Sequence, residues 1–241
     1  MEGIIFPENW ERIMKKEVIE KPSISITVEE LEAELIRQLR TCLKFFNGNN
    51  FCLALSGGID SSILAVLLSN FLRVDFTAIT IGRINHPDIL FAELLTEKFR
   101  LNHKVSLLFG SQKSDDIYDD LFAVIAQLGF GYSIHADAID ELTGGYWLHR
   151  RNANEETFQD YWERLTPEHL RPMAFYAERH RVSVGLPYLA THNLLRRITM
   201  KQRTANGKGK IILRQLAKKL DIPDEIIDRS KLGLCDVWKE F

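Results

Sequence analysis

Apolar residues fill most of positions 51–72, interrupted by a short polar turn that contains two glycines. Residues 51–55 form an unbroken apolar run of strand length. Glycines at 57 and 58 end this run, and the apolar residues from 63 to 72 recur at helical spacing. The pattern predicts a buried parallel strand that leads through a turn into a helix.

An amphipathic helix is predicted before this stretch. Leu31, Leu35 and Leu39 recur at four-residue steps along one face, and Thr27 with Glu30 has the pattern of a capping box. The residues before this helix show no clear period, so we expect an extended arm or a short helix there. The predicted organisation is an N-terminal arm (1–26) and one domain (27–241), with a sheet part at about 51–146 and a helical part at about 147–241.

Strand and helix patterns alternate after the central stretch. Strands that alternate with helices of ten or more residues indicate parallel pairing through right-handed crossovers. We therefore predict an α/β fold with a doubly wound, mostly parallel, Rossmann-like sheet and a helical C-terminal part. Such sheets bind ligands beyond the carboxyl ends of their strands. Strands are predicted at 74–81, 103–109 and 132–135, and helices at 87–100, 115–128, 158–179 and 192–227.

Composition narrows the class of protein. The chain has 241 residues, of which 45% are hydrophobic, so it can bury a sizeable core. A net charge of −2 gives no general attraction to nucleic acid, and the apolar stretches are too short to cross a bilayer. Cys42, Cys52 and Cys235 lack the spacing of a disulfide framework or a zinc site. Because the N-terminus lacks a signal-peptide layout, we expect a cytoplasmic protein with no membrane partner. The net charge does not favour a nucleic-acid partner.

The polar turn after residue 55 has the composition of a phosphate-binding loop. Gly57 and Gly58 leave successive backbone N–H groups uncovered at the start of a helix, where the helix dipole is positive. Serine hydroxyls add donors, and one carboxylate can bind Mg²⁺ beside the phosphates. These side chains are Ser56, Ser61, Ser62 and Asp60.

The segment 56–61, Ser-Gly-Gly-Ile-Asp-Ser, resembles the Ser-Gly-Gly-x-Asp-Ser signature of the PP-loop ATP pyrophosphatase family. The resemblance implies a fold of the adenine nucleotide alpha hydrolase type. It also implies cleavage of ATP between the α and β phosphates, with transfer of AMP to an acceptor oxygen. Adenine would then lie near Leu55, Ile81 and Gly82. The residues implied to hold pyrophosphate are Ser56, Gly57, Gly58, Ser61 and Ser62.

A second polar segment follows the fourth predicted strand. It carries Asp137, Asp140 and Glu141, whose mutual repulsion a shared cation would relieve. The segment resembles Ser-Gly-Glu-Gly-Ala-Asp-Glu-Leu-Phe-Gly-Gly-Tyr of the asparagine synthetase family. Asp140 falls on that family's Mg²⁺-binding aspartate, and Gly144 and Gly145 fall on its glycine pair at the nucleotide site. Asp137 stands at the position of the family's glutamate, with a shorter reach, and the resemblance makes it a catalytic candidate.

Two lysines in the basic C-terminal part resemble lysines of the same family. Lys210 lies in a Gly-x-x-Lys-x-x-Leu-Arg pattern, and Lys231 lies in an Arg-x-Lys pattern. The resemblance makes Lys231 an electrostatic catalyst at the adenylated intermediate and Lys210 a phosphate ligand. His135, next to the second carboxylate segment, is a candidate proton acceptor.

The resemblance implies a ligase that consumes ATP and forms AMP and pyrophosphate. It would adenylate a carboxylate, with aspartate as the default acid, and a nitrogen nucleophile would then displace AMP to give an amide. Asp60 and Asp140 would hold Mg²⁺. Because the first strong motif lies near residue 56, we expect no glutaminase domain before it. The nitrogen would then come from ammonia, from a separate amidase or from an amine on the substrate.

Three alternatives stay open at this point. The altered segment 135–139 fits adenylation of another acid, as in relatives that close β-lactam or peptide rings. The nine lysines and arginines between 191 and 220, without aspartate or glutamate, fit a PP-loop enzyme that modifies tRNA. A nucleotide-binding subunit without catalysis is the third alternative. A homo-oligomer is compatible with each of them.

Overall fold

The computed structural model describes residues 5–6, 24–108 and 117–229. Six strands in these ranges form one sheet, in which the first strand is antiparallel to its neighbour and the other pairs are parallel. The predicted α/β fold with a mostly parallel sheet is therefore confirmed. The strands are β1 (Ile5–Phe6), β2 (Cys52–Ala54), β3 (Thr77–Gly82), β4 (Asn102–Leu107), β5 (Tyr132–Ile134) and β6 (Ser183–Gly185).

Helices flank the sheet and make up most of the C-terminal part. A short antiparallel hairpin lies between two of these C-terminal helices. The hairpin strands are β7 (Thr204–Ala205) and β8 (Lys208–Gly209). The helices are α1 (Val28–Phe46), α2 (Ile59–Val66), α3 (Pro87–Phe99), α4 (Ile117–Gln127), α5 (Asp140–Thr143), α6 (Trp147–Arg151), α7 (Glu155–Leu165), α8 (Arg171–Arg179), α9 (Pro187–Ala190), α10 (His192–Leu195), α11 (Met200–Arg203), α12 (Ile211–Lys219) and α13 (Asp224–Asp228). In the described ranges, no helix combines the length and the apolar character that a membrane span requires.

The central strand β2 lies at a switch in strand order. The sheet order is β1–β6–β5–β2–β3–β4, so the chain first builds outward on one side of β2 and then returns to build on the other. Cys52 and Leu53 are fully buried, as the apolar run predicted. Ligands of doubly wound sheets bind at the carboxyl ends of the strands at such a switch. The polar loop that follows β2 therefore occupies the ligand-binding position of this fold.

Helix α1 has the predicted cap and the predicted buried face. The Thr27 hydroxyl accepts from the Glu30 N–H at 3.1 Å, and the Glu30 carboxylate accepts from the Thr27 N–H at 2.7 Å. Leu31, Leu35 and Leu39 are fully buried. Helix α12 packs against both α1 and α2, and this packing brings the residue just before α12, Lys210, next to the loop after β2.

The sequence pattern missed the fifth parallel strand and the hairpin. Strand β6 has three residues, Ser-Val-Gly, which is too short for a period-two pattern to stand out. The hairpin β7–β8 lies inside the stretch 192–227 that was predicted to be mainly helical, so that prediction is wrong there. The predicted end of the third strand at 109 and the predicted helix start at 115 lie outside the described residues.

Candidate active site

Serine side chains hold the loop between β2 and α2. The Ser56 N–H donates to the Ser61 hydroxyl oxygen at 3.2 Å, and the Gly58 N–H donates to the Ser56 hydroxyl oxygen at 3.3 Å. Helix α2 begins after Gly58, which provides no side-chain cap. The first N–H groups of α2 therefore remain available to an anion at the positive end of the helix dipole.

Gly57 allows this loop to lie directly on helix α3. Its φ of +61° is in the left-handed region, and an added Cβ would lie 2.5 Å from the backbone nitrogen of Ala92. A side chain at this position would push the loop away from α3. The structure therefore gives Gly57 a packing role beneath the loop.

Three charged side chains from distant parts of the sequence meet beside the loop. The Lys210 Nζ lies 2.5 Å from Asp60 Oδ2 and 2.5 Å from Asp140 Oδ1. The lysine side chain is only 8% exposed. Burial by itself would lower the pKa of Lys210, but the nearby charges of Asp140 and Asp60 outweigh burial, so the pKa is raised. The Lys210 ammonium group is therefore charged at neutral pH.

Close backbone contacts hold Lys210 in this position. Its N–H donates to the carbonyl oxygen of Thr143 at 2.7 Å. The preceding residue, Gly209, lies so close to the end of α5 that an added Cβ would be 1.8 Å from the Gly144 carbonyl oxygen. A Cβ on Gly145 would be 1.6 Å from Asp140 Oδ1. The glycines therefore let the hairpin and the second carboxylate segment approach each other.

A cavity of about 430 Å³ lies at these three charged residues, a volume within the range of small-molecule sites. Gly57 and Gly82 do not line it, and the Ser62 hydroxyl is buried without a hydrogen-bond partner among the described residues. Lys231 lies outside the described residues. The predicted site residues that line the cavity are Leu55, Ser56, Gly58, Asp60, Ser61, Ile81, Asp137, Asp140, Gly144, Gly145 and Lys210.

Tyrosine hydroxyls orient two carboxylates on the cavity wall that follows β5. Tyr118 donates to Asp137 Oδ1 at 2.9 Å, and Tyr146 donates to Glu141 Oε1 at 2.6 Å. Burial and the neighbouring carboxylates raise the pKa of Tyr146, so its hydroxyl keeps its proton and remains a donor. Neither tyrosine has a role predicted from the sequence.

His135 does not suit the predicted role of proton acceptor. Its side chain is fully enclosed, and its Nε2 lies 2.9 Å from the Ser133 hydroxyl oxygen. Burial lowers the pKa of His135 to about 3, because a charged imidazolium would be poorly solvated there. A base with this pKa binds a proton weakly at neutral pH.

Arg229 connects the end of α13 to the loop. Its guanidinium lies 2.5 Å from Asp88 Oδ1, donates to the Ser56 carbonyl oxygen at 3.2 Å and covers the ring of Phe91 at 4.6 Å. The side chains of Arg229 and Asp88 are 8% and 6% exposed. In this segment only Lys231 has a role predicted from the sequence, although Arg229 is the arginine of the same Arg-x-Lys pattern.

The paired aspartates fit the Mg²⁺ that the family resemblance implies. Carboxylate oxygens are preferred Mg²⁺ ligands, and Mg²⁺ is often held by one or two carboxylates together with substrate phosphates. No cluster of three or more histidine, cysteine, aspartate or glutamate side chains suited to a metal occurs in the described part of the chain. Substrate phosphate oxygens and water would supply the other ligands of such an ion. In this structure the Lys210 ammonium group lies between Asp60 and Asp140.

Comparison with known proteins gives one family match. Residues 30–139 match the family model described as asparagine synthase. The matched range includes the loop and Asp137 and ends one residue before Asp140. No curated protein matches the chain. The resemblance noted from the sequence motifs is confirmed over the matched range.

Similar solved structures share little sequence identity with this chain. NMN synthetase from Francisella tularensis is 18% identical, with a TM-score of 0.44, and the match covers 89% of this chain and 79% of that chain. NH3-dependent NAD synthetase from Campylobacter jejuni is 16% identical, with a TM-score of 0.40 and coverages of 87% and 80%. A U34-tRNA thiolase from Methanococcus maripaludis is 13% identical, with a TM-score of 0.42 and coverages of 87% and 77%.

Proposed function

We propose that this chain is an ATP-dependent synthetase that adenylates a carboxylate and forms an amide. The proposal starts from the match of residues 30–139 to the family model described as asparagine synthase. The family match supports the coarser statement, an ATP-dependent amidating synthetase. The finer proposal is that the acid is aspartate and the product asparagine. Ammonia, or nitrogen delivered by a separate amidase, is the proposed second substrate.

The convergence of Asp60, Asp140 and Lys210 carries this proposal. Asp60 and Lys210 are 150 residues apart in sequence, yet their side chains meet in one cavity beside the loop. Two carboxylates and a buried charged lysine, next to the uncovered N–H groups of a helix, form a site suited to a metal-bound polyphosphate.

In the proposed first step, an oxygen of the acid attacks the α-phosphorus of ATP, and the bond from that phosphorus to the bridging oxygen breaks. Negative charge then grows on the departing pyrophosphate. The N–H groups at the start of α2 and the Ser56 and Ser61 hydroxyls would bind this charge. Lys210, and Lys231 as a further proposal, would stabilise it as it develops. Mg²⁺ held by Asp60 and Asp140 would supply further positive charge when bound.

In the proposed second step, the nitrogen nucleophile attacks the activated carbonyl carbon, and the bond from that carbon to the AMP oxygen breaks. The nucleophile must lose a proton as the amide forms. Asp137 is the proposed acceptor, since its carboxylate lines the cavity and is oriented by Tyr118.

An exchange experiment tests the adenylation step. Labelled pyrophosphate is mixed with ATP, Mg²⁺, the protein and one of a panel of carboxylic acids, and incorporation of the label into ATP is measured. We expect exchange with aspartate and a loss of at least about a hundredfold in Asp60→Asn. Asp221→Asn serves as a control, because Asp221 is 85% exposed and pairs with Lys98 on the surface. Exchange with another acid but not with aspartate would identify that acid as the substrate. Absence of exchange with every acid, in folded protein, would contradict adenylation.

A further inference from the structure

Arg150 is a cavity-lining arginine whose charge is not neutralised by any side chain in the described part of the protein. It is half-buried in the wall, and its guanidinium makes no hydrogen bond or ion pair with any described residue. The two other arginines of the wall are engaged: Arg214 donates to the Gly209 carbonyl oxygen, and Arg229 pairs with Asp88. A partly desolvated cation without a counter-ion is unfavourable, so a bound anion would stabilise it.

Arg150 lies on the part of the cavity wall formed by the chain after β5. It lies on α6, and its Cγ packs beside Gly209, where an added Cβ would lie 3.7 Å away. The next residue has a different environment: the Arg151 guanidinium covers the Trp147 ring at 4.4 Å and does not line the cavity. The two consecutive arginines therefore form a matched pair, with one in the site and one outside it.

We propose that Arg150 binds the carboxylate of the acceptor acid that is not adenylated. The acceptor would then be an α-amino acid whose α-carboxylate stays free while its side-chain carboxylate is activated. A guanidinium suits this role, because its planar fork can bind both carboxylate oxygens. This inference rests on the proposed function and extends it to the acid. The phosphate-binding N–H groups belong to the loop after β2, so Arg150 is assigned to the acid and not to the phosphates.

Neighbouring groups on the wall favour an acceptor that carries both charges. Asp137 and Glu141 line the cavity together with Arg150. A carboxylate on one side and an ammonium group on the other would match a wall that presents both signs of charge. A simple dicarboxylic acid would lack a positive group to match the acidic part of this wall.

Binding measurements without turnover test the proposal. Titration calorimetry would measure the binding of aspartate to protein loaded with Mg²⁺ and α,β-methylene ATP, which is not cleaved between the α and β phosphates. We expect Arg150→Met to weaken aspartate binding at least about tenfold, with nucleotide affinity unchanged within twofold. Arg150→Lys should weaken it less, and Arg151→Met should bind as the wild type does. β-Alanine, which is aspartate without its α-carboxylate, should bind weakly and equally to wild type and Arg150→Met.

Other binding results would overturn the proposal or contradict the proposed function. Weakened nucleotide binding with unchanged aspartate binding would assign Arg150 to a phosphate and overturn the proposal. Equal aspartate binding by wild type and Arg150→Met, or no binding of any free α-amino acid by folded wild type, would also overturn it. Arginine-dependent aspartate binding without pyrophosphate exchange would support the site and contradict the proposed function. Circular dichroism of each variant checks that the fold is retained.

Discussion

Helix α12 carries a lysine between two carboxylates at each end, and the two clusters differ in burial. Lys210, just before the helix, lies between Asp60 and Asp140 with 8% of its side chain exposed. Lys219, the last residue of the helix, lies 3.0 Å from Glu29 and 2.7 Å from Glu32 with 37% of its side chain exposed. The chemical groups are nearly the same at both ends. The difference between the clusters is therefore the water around them.

The ion pairs at the two ends of α12 differ in how strongly each charge depends on its partners. In water, side-chain entropy and screening offset most of the attraction within an ion pair. In the interior, each charge depends on its partners, because water no longer solvates it. A buried cluster therefore costs desolvation free energy, and in this chain that cost is incurred in the cavity where we propose that ATP binds. The cluster at Lys219, in which Lys219 and Glu29 are exposed and Glu32 is largely buried, serves as an internal control.

The largest expected effect is on folding stability when Lys210 is replaced by methionine. Two partly buried carboxylates would then lie close together without the lysine ammonium group between them, and we expect the free energy of unfolding to fall by about 3 kcal/mol or more. Urea denaturation at neutral pH measures this value. Lys219→Met should lower the midpoint much less, because Lys219 and Glu29 are exposed to water. Equal effects of the two variants would show that burial does not separate the clusters.

Arg229 and Asp88 form a second buried ion pair, which can be compared with an exposed arginine ion pair. Arg229→Met would leave the Asp88 carboxylate buried without its guanidinium partner, and we expect a loss of about 3 kcal/mol in the free energy of unfolding. Arg164→Met is the surface control, since Arg164 is 48% exposed and pairs with Glu168 and Asp160 along one helix face. Similar urea midpoints for the two variants would contradict this prediction.

The lowered pKa of His135 predicts that the free energy of unfolding depends on pH. The pKa of its buried side chain is lowered to about 3 from an ordinary value of 6.5. Between these two pH values the unfolded chain binds a proton that the folded protein excludes, so stability falls as the pH falls. We expect His135 to contribute a loss of about 3 kcal/mol between pH 6.5 and pH 4, at about 1.4 kcal/mol per pH unit.

Unfolding of His135→Gln at both pH values measures this contribution. The variant should lose less stability on acidification than the wild type does. His180→Gln is the matched surface control, because His180 lies 2.6 Å from Asp119 in a more exposed position. Parallel stability curves for wild type and His135→Gln would contradict the prediction.

The smallest predicted effect concerns metal binding without nucleotide. With Lys210 between them, Asp60 and Asp140 share a cation already, so Mn²⁺, used as a probe for Mg²⁺, should bind weakly. We expect Lys210→Met to bind Mn²⁺ at least about tenfold more tightly, equivalent to about 1.4 kcal/mol, as measured by electron paramagnetic resonance. Lys219→Met should not change the affinity. An unchanged affinity in Lys210→Met would show that the lysine does not compete with the ion.

The parts of the fold that could be predicted from the sequence depend on neighbouring residues. The cap and the apolar face of α1 lie within 19 residues, and the loop after β2 joins its strand and helix directly. Local signals of this kind describe hydrogen bonds and burial that form over a few residues. Strand β6 was missed because its three residues gain their place from pairing with β5, which local pattern does not encode.

Several residues of the candidate site could be predicted from the sequence, but the contacts between them could not. Motif resemblance identified Asp60, Asp140 and Lys210 separately, whereas their shared ion pair arises from the packing of α12 on α1 and α2. Arg150 and Arg229 were not predicted to act, since a lone arginine in a sequence is usually a solvated surface residue. Their significance comes from the cavity and from the loop contact.

The most direct test of the proposed chemistry follows an oxygen atom. Aspartate with its side-chain carboxylate labelled with ¹⁸O is incubated with the protein, ATP, Mg²⁺ and ammonium, and the AMP produced is examined by mass spectrometry. We predict one ¹⁸O atom in the phosphate of AMP, because the carboxylate oxygen that attacks phosphorus stays with AMP when nitrogen displaces it. AMP without the label, or formation of ADP and phosphate in place of AMP, would contradict adenylation of the acid.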